Sequence, residues 1–409
     1  MNSEPLLIKN AIICDKEKHQ KSDVLIENGL ITSVEERINQ SCPVIDGNHL
    51  TLMPAFVDLH AHFREPGYTD KEDILSGSMA ALKGGYTTVN LMANTLPVCN
   101  DDQTVERNLK KAKDADLIDI YQSCSVTKDF NGVDCDHIEQ IESESCKVLS
   151  DDGNGVETDS IMKKAMQLAK KKGLIISSHA EYKKLSKVDT RLSENQMTQR
   201  DLELCQQTGA RLHMAHVSTK EAVEMIVNAK SKGVNVTCEC TPHHLSLTEN
   251  TKYQVHPPLR SIEDIDALIK GIRNKTIDCI ATDHAPHTTQ DKLKGAPGMS
   301  SIEIAFSICY TYLVKTGKIS LMALSDLMSY RPAQILGLNK GIIKKGIKAD
   351  LVLIDMTTVF EVNPLEFLSQ GKNTPFASKN LSGKVIKVIK DGIEKYNNGR
   401  FMKGMVKNG

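Results

Sequence analysis

The chain has 409 residues, with 51 lysines and arginines against 52 aspartates and glutamates, a formal net charge of −1 at pH 7. This balance gives no basic surplus for nucleic acid or an anionic membrane, and no apolar run reaches the roughly 18 residues that cross a bilayer. Eleven cysteines without a paired CxxC motif are typical of reduced thiols. With no secretory signal in residues 1–10, we expect a cytoplasmic protein.

Both ends of the chain carry short apolar runs separated by turn signals. Asn28-Gly29 and Asp391-Gly392 are turn pairs of the kind that ends a β-strand. The predicted strands of the two ends are residues 6–8, 11–13, 24–26, 30–34, 44–46, 341–355 and 385–389. We therefore predict one small β-sandwich domain built from both chain ends, residues 1–53 and 341–409.

The middle of the chain alternates apolar, β-branched runs with amphipathic stretches. The runs are residues 56–59, 86–91, 117–126, 146–149, 174–178, 212–217, 234–240 and 279–282. The amphipathic stretches are residues 73–83, 104–115, 160–172, 199–208, 220–232 and 262–274. This α/β pattern of eight strands predicts a (β/α)8 TIM barrel over residues 54–340. Active sites of such barrels lie at the carboxyl ends of the strands.

The first predicted barrel strand ends in a His-x-His motif. Phe56 to Leu59 is a short apolar run, and His60-Ala61-His62 follows it. Alternate residues of an extended chain point to the same side, so His60 and His62 can converge on one point and supply half of a zinc site. Cys238 and Cys240 have the same spacing, but we interpret them as barrel packing.

Residues of metal-ligand type follow four more predicted strands. Asp151-Asp152 follows the fourth strand, His179 the fifth, His216 the sixth and Asp283 the eighth. With the His-x-His motif, this pattern predicts a binuclear metal site whose nitrogen and carboxylate ligands suit Zn²⁺, and also Mn²⁺ or Co²⁺. A metal-activated hydroxide beside a strand-end aspartate favours hydrolysis, or its reversal, at an amide-like carbon.

The motifs around these residues resemble the amidohydrolase superfamily, and within it class I dihydroorotase. The matching stretches, spread along the chain, are residues 60–67, 92–97, 151–153, 216–220, 241–245, 257–260 and 281–287. The resemblance implies a zinc-dependent cyclic amide hydrolase. Its reaction would be the reversible cyclisation of N-carbamoyl-L-aspartate to L-dihydroorotate in pyrimidine (UMP) synthesis.

The resemblance also implies a role for each candidate ligand. His60 and His62 would bind the more buried of two zinc ions, and His179 and His216 the more exposed one. Asp283 would ligate the buried metal and act as general base and acid. An aspartate and a hydroxide would bridge the two metals.

The identity of the bridging residue stays open between three candidates. The spacing to the histidine after strand five in the matching branch points to Asp152, with Asp151 its neighbour. Lys147 is the rival, because many relatives bridge their metals with a carboxylated lysine. We predict Asp152.

The resemblance extends to residues that contact the substrate. Arg64, Asn94 and His287 match positions that hold its α-carboxylate, and a planar guanidinium suits bidentate binding of a carboxylate. Pro297 and Gly298 match a backbone segment that contacts the pyrimidine ring. His256 stands where the family usually has Asn before Pro-Pro-Leu-Arg, and its imidazole offers the ring a hydrogen bond of different shape and charge.

Two alternatives compete with this interpretation. One is a related cyclic amidohydrolase, a hydantoinase or allantoinase, against which the Asp151-Asp152 pair, Arg64 and Asn94 argue. The other is a non-catalytic assembly partner, for example of aspartate carbamoyltransferase, although all six expected ligands are present. The resemblance also implies a homodimer. We interpret His243, His244 and His284 as groups that hold the ligands in orientation.

Overall fold

The structure is a computed structural model that describes residues 4–402. Residues 1–3 and 403–409, which belong to the two predicted terminal β segments, lie outside the described residues. Across residues 4–402, every helix is too short or too polar to span a membrane.

Strands and helices succeed one another as follows. The strands are β1 (Leu6–Cys14), β2 (His19–Glu27), β3 (Leu30–Glu35), β4 (Val44–Asp46), β5 (Thr51–Pro54), β6 (Phe56–Ala61), β7 (Tyr86–Leu91), β8 (Asp119–Gln122), β9 (Val148–Leu149), β10 (Ile175–Ser178), β11 (Arg211–Met214), β12 (Val236–Cys240), β13 (Cys279–Ile280), β14 (Leu351–Glu361), β15 (Asn380–Lys390), β16 (Ile393–Asn397) and β17 (Arg400–Phe401). The α-helices are α1 (Ile74–Lys83), α2 (Asp102–Ala115), α3 (Asp159–Lys172), α4 (Lys183–Ser186), α5 (Thr190–Thr208), α6 (Lys220–Ser231), α7 (Ile262–Arg273), α8 (Thr289–Leu293), α9 (Ala305–Cys309), α10 (Leu321–Ser325) and α11 (Arg331–Ile335).

The two chain ends form one hydrogen-bonded sheet of nine strands. Its order is β17–β16–β15–β14–β5–β1–β2–β3, with β4 paired to β1. The antiparallel pairing of β14 with β5 joins the C-terminal segment to the N-terminal one. The two chain ends therefore meet in a single continuous sheet.

The central strands form two parallel sheets. One has the order β6–β7–β8 and the other the order β9–β10–β11–β12–β13. Two isolated parallel bridges connect the edges of one sheet to the edges of the other. They pair Cys124 with Leu149 and Ala61 with His284. All these strands consequently direct their carboxyl ends to the same side.

Side-chain caps fix where several of the helices begin. Asp73, Asp101 and Thr219 precede α1, α2 and α6, and each accepts a hydrogen bond from the backbone N–H three residues later. Such caps satisfy amides that have no partner inside the helix.

Aromatic side chains pack strands β6 and β7 against helix α9. The ring centroid of Phe56 lies 5.4 Å from that of Tyr86 and 5.2 Å from that of Phe306.

Three boundaries differ from the sequence prediction for physical reasons. Helix α5 begins at Thr190, well before the predicted residue 199, because Asp189 caps it and buried polar side chains on its faces obscure the apolar periodicity. Strands β11 and β13 end sooner than predicted. His216 and Asp283 adopt positive φ values of 32° and 45°, which a β-strand does not accommodate.

Candidate active site

The six predicted metal ligands converge at the carboxyl ends of the parallel strands. His60 is in β6 and His62 follows it, while Asp152, His179, His216 and Asp283 follow β9, β10, β11 and β13. All six side chains are buried. Residues from five separate strands therefore meet in one small volume.

The carboxylate of Asp152 lies between the two pairs of histidines. Its Oδ1 atom is 3.3 Å from His60 Nε2, 3.3 Å from His179 Nδ1 and 3.4 Å from His216 Nε2. Its Oδ2 atom is 3.5 Å from His62 Nε2. One carboxylate thus faces all four imidazoles, which is the geometry required of a group shared by two cations.

Asp283 faces the first pair of histidines from the opposite wall. Its Oδ1 atom is 3.2 Å from His62 Nε2 and 3.6 Å from His60 Nε2. The second pair is also close, with His179 Nδ1 2.9 Å from His216 Nε2. The cluster therefore divides into His60, His62 and Asp283 on one side, and the two later histidines on the other.

Two atoms at the centre of the cluster lack hydrogen bonds. Within residues 4–402, His60 Nε2 and Asp152 Oδ1 are buried and have no hydrogen-bond partner. A buried polar atom without a partner costs about 1–3 kcal/mol, and a cation between such atoms removes that cost. These imidazole and carboxylate donors can hold a metal ion.

The three candidates for the bridging position have different surroundings in the structure. The carboxylate of Asp151 accepts hydrogen bonds from the backbone N–H groups of Val126 and Thr127 and from the Thr127 hydroxyl. The ammonium of Lys147 lies over the ring of Tyr121, 5.6 Å from its centroid. Neither group faces the four imidazoles, as the carboxylate of Asp152 does.

The electrostatics of the cluster favour ionised carboxylates. Burial alone would raise the pKa of Asp152, but the neighbouring His60 and the other imidazoles lower that pKa well below its usual range. Burial opposes ionisation of Asp283 as well, and its contact with His62 Nε2 lowers its pKa. Burial, with the adjacent Arg64, lowers the pKa of His62 and keeps that ring neutral.

In three of the histidine ligands, the ring nitrogen that faces away from the cluster contacts a side-chain oxygen. Glu239 Oε1 is 2.8 Å from His60 Nδ1, Asn94 Oδ1 is 2.8 Å from His62 Nδ1, and Glu181 Oε2 is 3.2 Å from His179 Nε2. Burial would raise the pKa of Glu239, but its hydrogen bonds with imidazoles lower that pKa to about 2. Sequence reasoning missed Glu181 and Glu239. Two sequence signals could have found them: Glu239 is a charged residue inside the apolar run of β12, and Glu181 is a carboxylate two residues after the ligand His179.

Comparison with known proteins agrees with this geometry. The model of the amidohydrolase family matches residues 51–394. A protein named dihydroorotase from Clostridium botulinum (strain Eklund 17B / Type B) is 49% identical over 394 residues, covering 96% of this chain and 99% of its own. Another dihydroorotase, from Ruminiclostridium cellulolyticum, is 40% identical and covers 91% of this chain and 94% of its own.

The chain belongs to the amidohydrolase family, in its dihydroorotase branch. Two solved structures support the fold. The L-hydantoinase of Arthrobacter aurescens superposes with a TM-score of 0.89 at 24% identity, covering 98% of each chain. The dihydropyrimidinase of Brevibacillus agri NCHU1002 gives a TM-score of 0.87 at 24% identity, covering 97% of this chain and 96% of its own.

Four of the residues matched to dihydroorotase substrate contacts lie together beside the ligands. Arg64 Nη2 is 3.5 Å from His287 Nε2, and the Arg64 Nε atom is buried without a hydrogen-bond partner among the described residues. His287 Nε2 donates to the carbonyl of Pro297 at 2.8 Å. Gly298 has a φ of 128°, and a Cβ atom there would lie 2.7 Å from that of Ala285, so this close approach requires glycine.

The other two substrate candidates are engaged by the chain itself. Asn94 uses its carbonyl oxygen to hold His62, which leaves its amide nitrogen 3.5 Å from Asp152 Oδ2. His256, predicted from the resemblance to contact the ring of the substrate, lies 3.1 Å from Glu181 Oε1 and stacks on the ring of His179. Glu181 thus connects the ligand His179 to His256.

The three accessory histidines differ in their surroundings. His244 lies 2.7 Å from Thr241 Oγ1 and 3.0 Å from the carbonyl of Pro257, so it stabilises the loop after β12. His284 lies 3.3 Å from Glu72 Oε2. His243 is fully buried, and neither of its ring nitrogens has a partner among the described residues. The side chains of His244 and His284 thus stabilise loops, and the backbone carbonyl of His284 accepts a hydrogen bond from the N–H of the ligand His62 at 2.9 Å.

Proposed function

We propose that this chain is an active dihydroorotase, which interconverts N-carbamoyl-L-aspartate and L-dihydroorotate in pyrimidine (UMP) synthesis. The observation that carries the proposal is the convergence of His60, His62, Asp152, His179, His216 and Asp283 in a chain 49% identical to a protein named dihydroorotase. An assembly partner without catalysis has no need to keep six buried ligand side chains together.

The proposed fold is a closed (β/α)8 barrel over residues 54–340 with a β-sandwich from residues 1–53 and 341–409. The two isolated parallel bridges support closure, because they join both ends of the three-stranded sheet to the five-stranded one. The nine-stranded sheet built from both chain ends supports the second domain. Dihydroorotase chemistry would then occur at the carboxyl ends of the barrel strands.

The proposed cofactor is a pair of Zn²⁺ ions. His60, His62 and Asp283 would hold one ion, His179 and His216 the other, and Asp152 would contact both. The buried atoms without partners, His60 Nε2 and Asp152 Oδ1, support this assignment. When bound, such a pair supplies Lewis acidity that lowers the pKa of a water molecule and polarises an amide-like carbonyl.

Asp283 is the proposed general base and acid. Its buried carboxylate is held ionised by the surrounding imidazoles, so it can accept a proton from the attacking water during ring opening. It then returns that proton to the departing ring nitrogen. The reverse order of the same two transfers accompanies cyclisation.

Arg64 is the proposed anchor for the α-carboxylate of the substrate. Its side chain is partly buried, with the Nε atom fully buried, and burial lowers the pKa of the guanidinium, whereas the carboxylates of Asp283, Asp152, Asp291 and Glu72 favour its charge. An incoming carboxylate would add a bidentate charge partner. Asn94 would contribute through its amide group and His287 through its imidazole ring. His256 and the backbone of Pro297 and Gly298 would contact the ring.

The decisive experiment is a substrate panel with purified, zinc-loaded protein. L-dihydroorotate and N-carbamoyl-L-aspartate would be compared with hydantoin and allantoin at equal concentrations. We expect selective turnover of the first two, lost on chelation and recovered with Zn²⁺. Preferential turnover of hydantoin or allantoin would contradict the proposal. A homodimer and an association with aspartate carbamoyltransferase remain predictions.

A further inference from the structure

Glu239 lies in strand β12, beneath the ligand cluster. In β12 its side chain points to the opposite face from those of Cys238 and Cys240. The side chain of Glu239 is 1% exposed, yet each of its carboxylate oxygens meets an imidazole. Oε1 is 2.8 Å from His60 Nδ1, and Oε2 is 3.0 Å from His213 Nε2.

This contact determines which nitrogen of His60 carries the proton. A carboxylate accepts hydrogen bonds, so Nδ1 of His60 must donate. In a neutral imidazole the other nitrogen then presents a lone pair. That nitrogen, Nε2, is the atom that faces Asp152 at 3.3 Å and Asp283 at 3.6 Å. The contact also fixes the rotation of the ring.

His213 in turn holds Glu239 in place. His213 Nδ1 lies 2.8 Å from the hydroxyl of Thr237, and its side chain is buried. If the Thr237 hydroxyl donates to Nδ1, the single proton of the neutral His213 ring is on Nε2 and is directed at Glu239. The chain Thr237–His213–Glu239–His60 therefore connects strands β11 and β12 to the ligand in β6.

We propose that Glu239, itself held by His213, is a positioning residue that fixes His60 in the tautomer and ring orientation needed to bind metal. The inference rests on the metal-binding part of the proposed function. Outer partners of this kind typically change metal affinity by about 10–100-fold when they are removed.

The test is zinc affinity, measured by competition with a chromophoric chelator, in Glu239→Gln, Glu239→Ala and His213→Gln. The matched control is Asp264→Asn, which alters a buried carboxylate paired with Arg191 at 2.7 Å. We expect Glu239→Ala to weaken zinc binding about 10–100-fold and Glu239→Gln to weaken it less, because the amide oxygen still accepts from His60. Asp264→Asn should leave zinc affinity within about twofold of the parent.

A second measurement separates positioning from general stabilisation. The visible spectrum of the cobalt-loaded protein should change in the Glu239 variants and stay unchanged in Asp264→Asn, since it reports ligand geometry. Lower melting temperatures with unchanged zinc affinity and cobalt spectrum would overturn the inference. A third zinc per chain that Cys279→Ser abolishes would also overturn it, because His213, Glu239 and Cys279 would then be ligands themselves.

These measurements do not depend on turnover. If the parent protein binds zinc but does not convert L-dihydroorotate, the proposed reaction is wrong. The zinc affinities of the Glu239 variants still test the role of Glu239. If the parent binds no metal, the metal centre itself fails. The two failures are therefore distinguishable.

Discussion

Two clusters of charged and ionisable side chains stand in contrast. Between the central strands and the nine-stranded sheet, the ammonium groups of Lys340, Lys390 and Lys348 face the carboxylates of Asp119, Asp350 and Asp391 at 2.6–2.9 Å. We call these six residues the ionic network. Its positive and negative groups are equal in number. At the strand ends, by contrast, Asp152 and Asp283 face imidazoles without a lysine in the cluster.

The charges of the two clusters have different roles. The ionic network carries its own cations and fastens the C-terminal segment to β8, so its charges stabilise the fold. The ligand cluster keeps buried atoms without partners, which a bound cation would satisfy. Changes in the two clusters should therefore affect different measurements.

The largest expected effect is on catalysis. Asp283→Ala removes the proposed base, so turnover of L-dihydroorotate should fall by about 10²–10⁴-fold, the range for loss of a general acid–base group. Because the carboxylate makes no contact with the ionic network, the free energy of unfolding should change little. Steady-state kinetics and chemical denaturation check both parts. Full turnover in Asp283→Ala would contradict the assignment.

The ionic network should respond in the opposite way. Lys340→Met leaves Asp350 buried without its ammonium partner at 2.7 Å, and breaking a buried pair in this way costs about 3–5 kcal/mol. Urea unfolding measures this loss, with Lys348→Met, a more exposed member of the network, as the milder control. Zinc affinity should not change in either variant. A large loss of zinc affinity would mean that the two clusters are coupled.

The neighbouring carboxylates Asp151 and Asp152 should differ in what their removal changes, fold stability or zinc binding. Asp152→Asn should weaken zinc binding at least about tenfold. Asp151→Asn should instead lower stability by about 1–3 kcal/mol, because Asp151 accepts hydrogen bonds from Val126 and Thr127. Zinc competition and urea unfolding of both variants check the contrast. The reverse pattern would make Asp151 the bridging residue.

The smallest predicted effect concerns pH. Burial lowers the pKa of His244 to about 4, below its ordinary value of about 6.5. The unfolded chain therefore binds a proton first as pH falls, so this contribution to stability is complete above pH ~6.5 and is lost towards pH ~4. Between pH 7 and pH 5 the loss is about 2 kcal/mol. His244→Gln should reduce this pH dependence of unfolding in metal-free protein, and an unchanged dependence would contradict it.

The sequence could predict the ligands because each one interrupts or follows an apolar run. A polar residue at the end of a buried strand is visible without knowing its partners, as with His179 after β10 and His216 after β11. Since parallel strands direct their carboxyl ends to one side, the order of the strands alone brings these residues together.

The positioning groups and the ionic network could not be predicted in this way. Glu239 and His60 are 179 positions apart, and Lys340 and Asp119 are 221 apart. Their pairing depends on the register between distant strands, which no local pattern records. The positive φ of His216 and Asp283 likewise depends on the packing around them, so the ends of β11 and β13 were predicted too late.

The most direct test of the account is a zinc titration of the metal-free protein followed by dihydroorotate turnover at each step. We expect two zinc ions per chain, with activity that appears as they bind and that is absent from metal-free protein. Asp152→Asn, titrated alongside, should bind fewer zinc ions at the same free concentration. Full turnover by protein that contains less than about 0.1 metal ion per chain would contradict the central claim that the strand-end cluster is a metal-dependent active site.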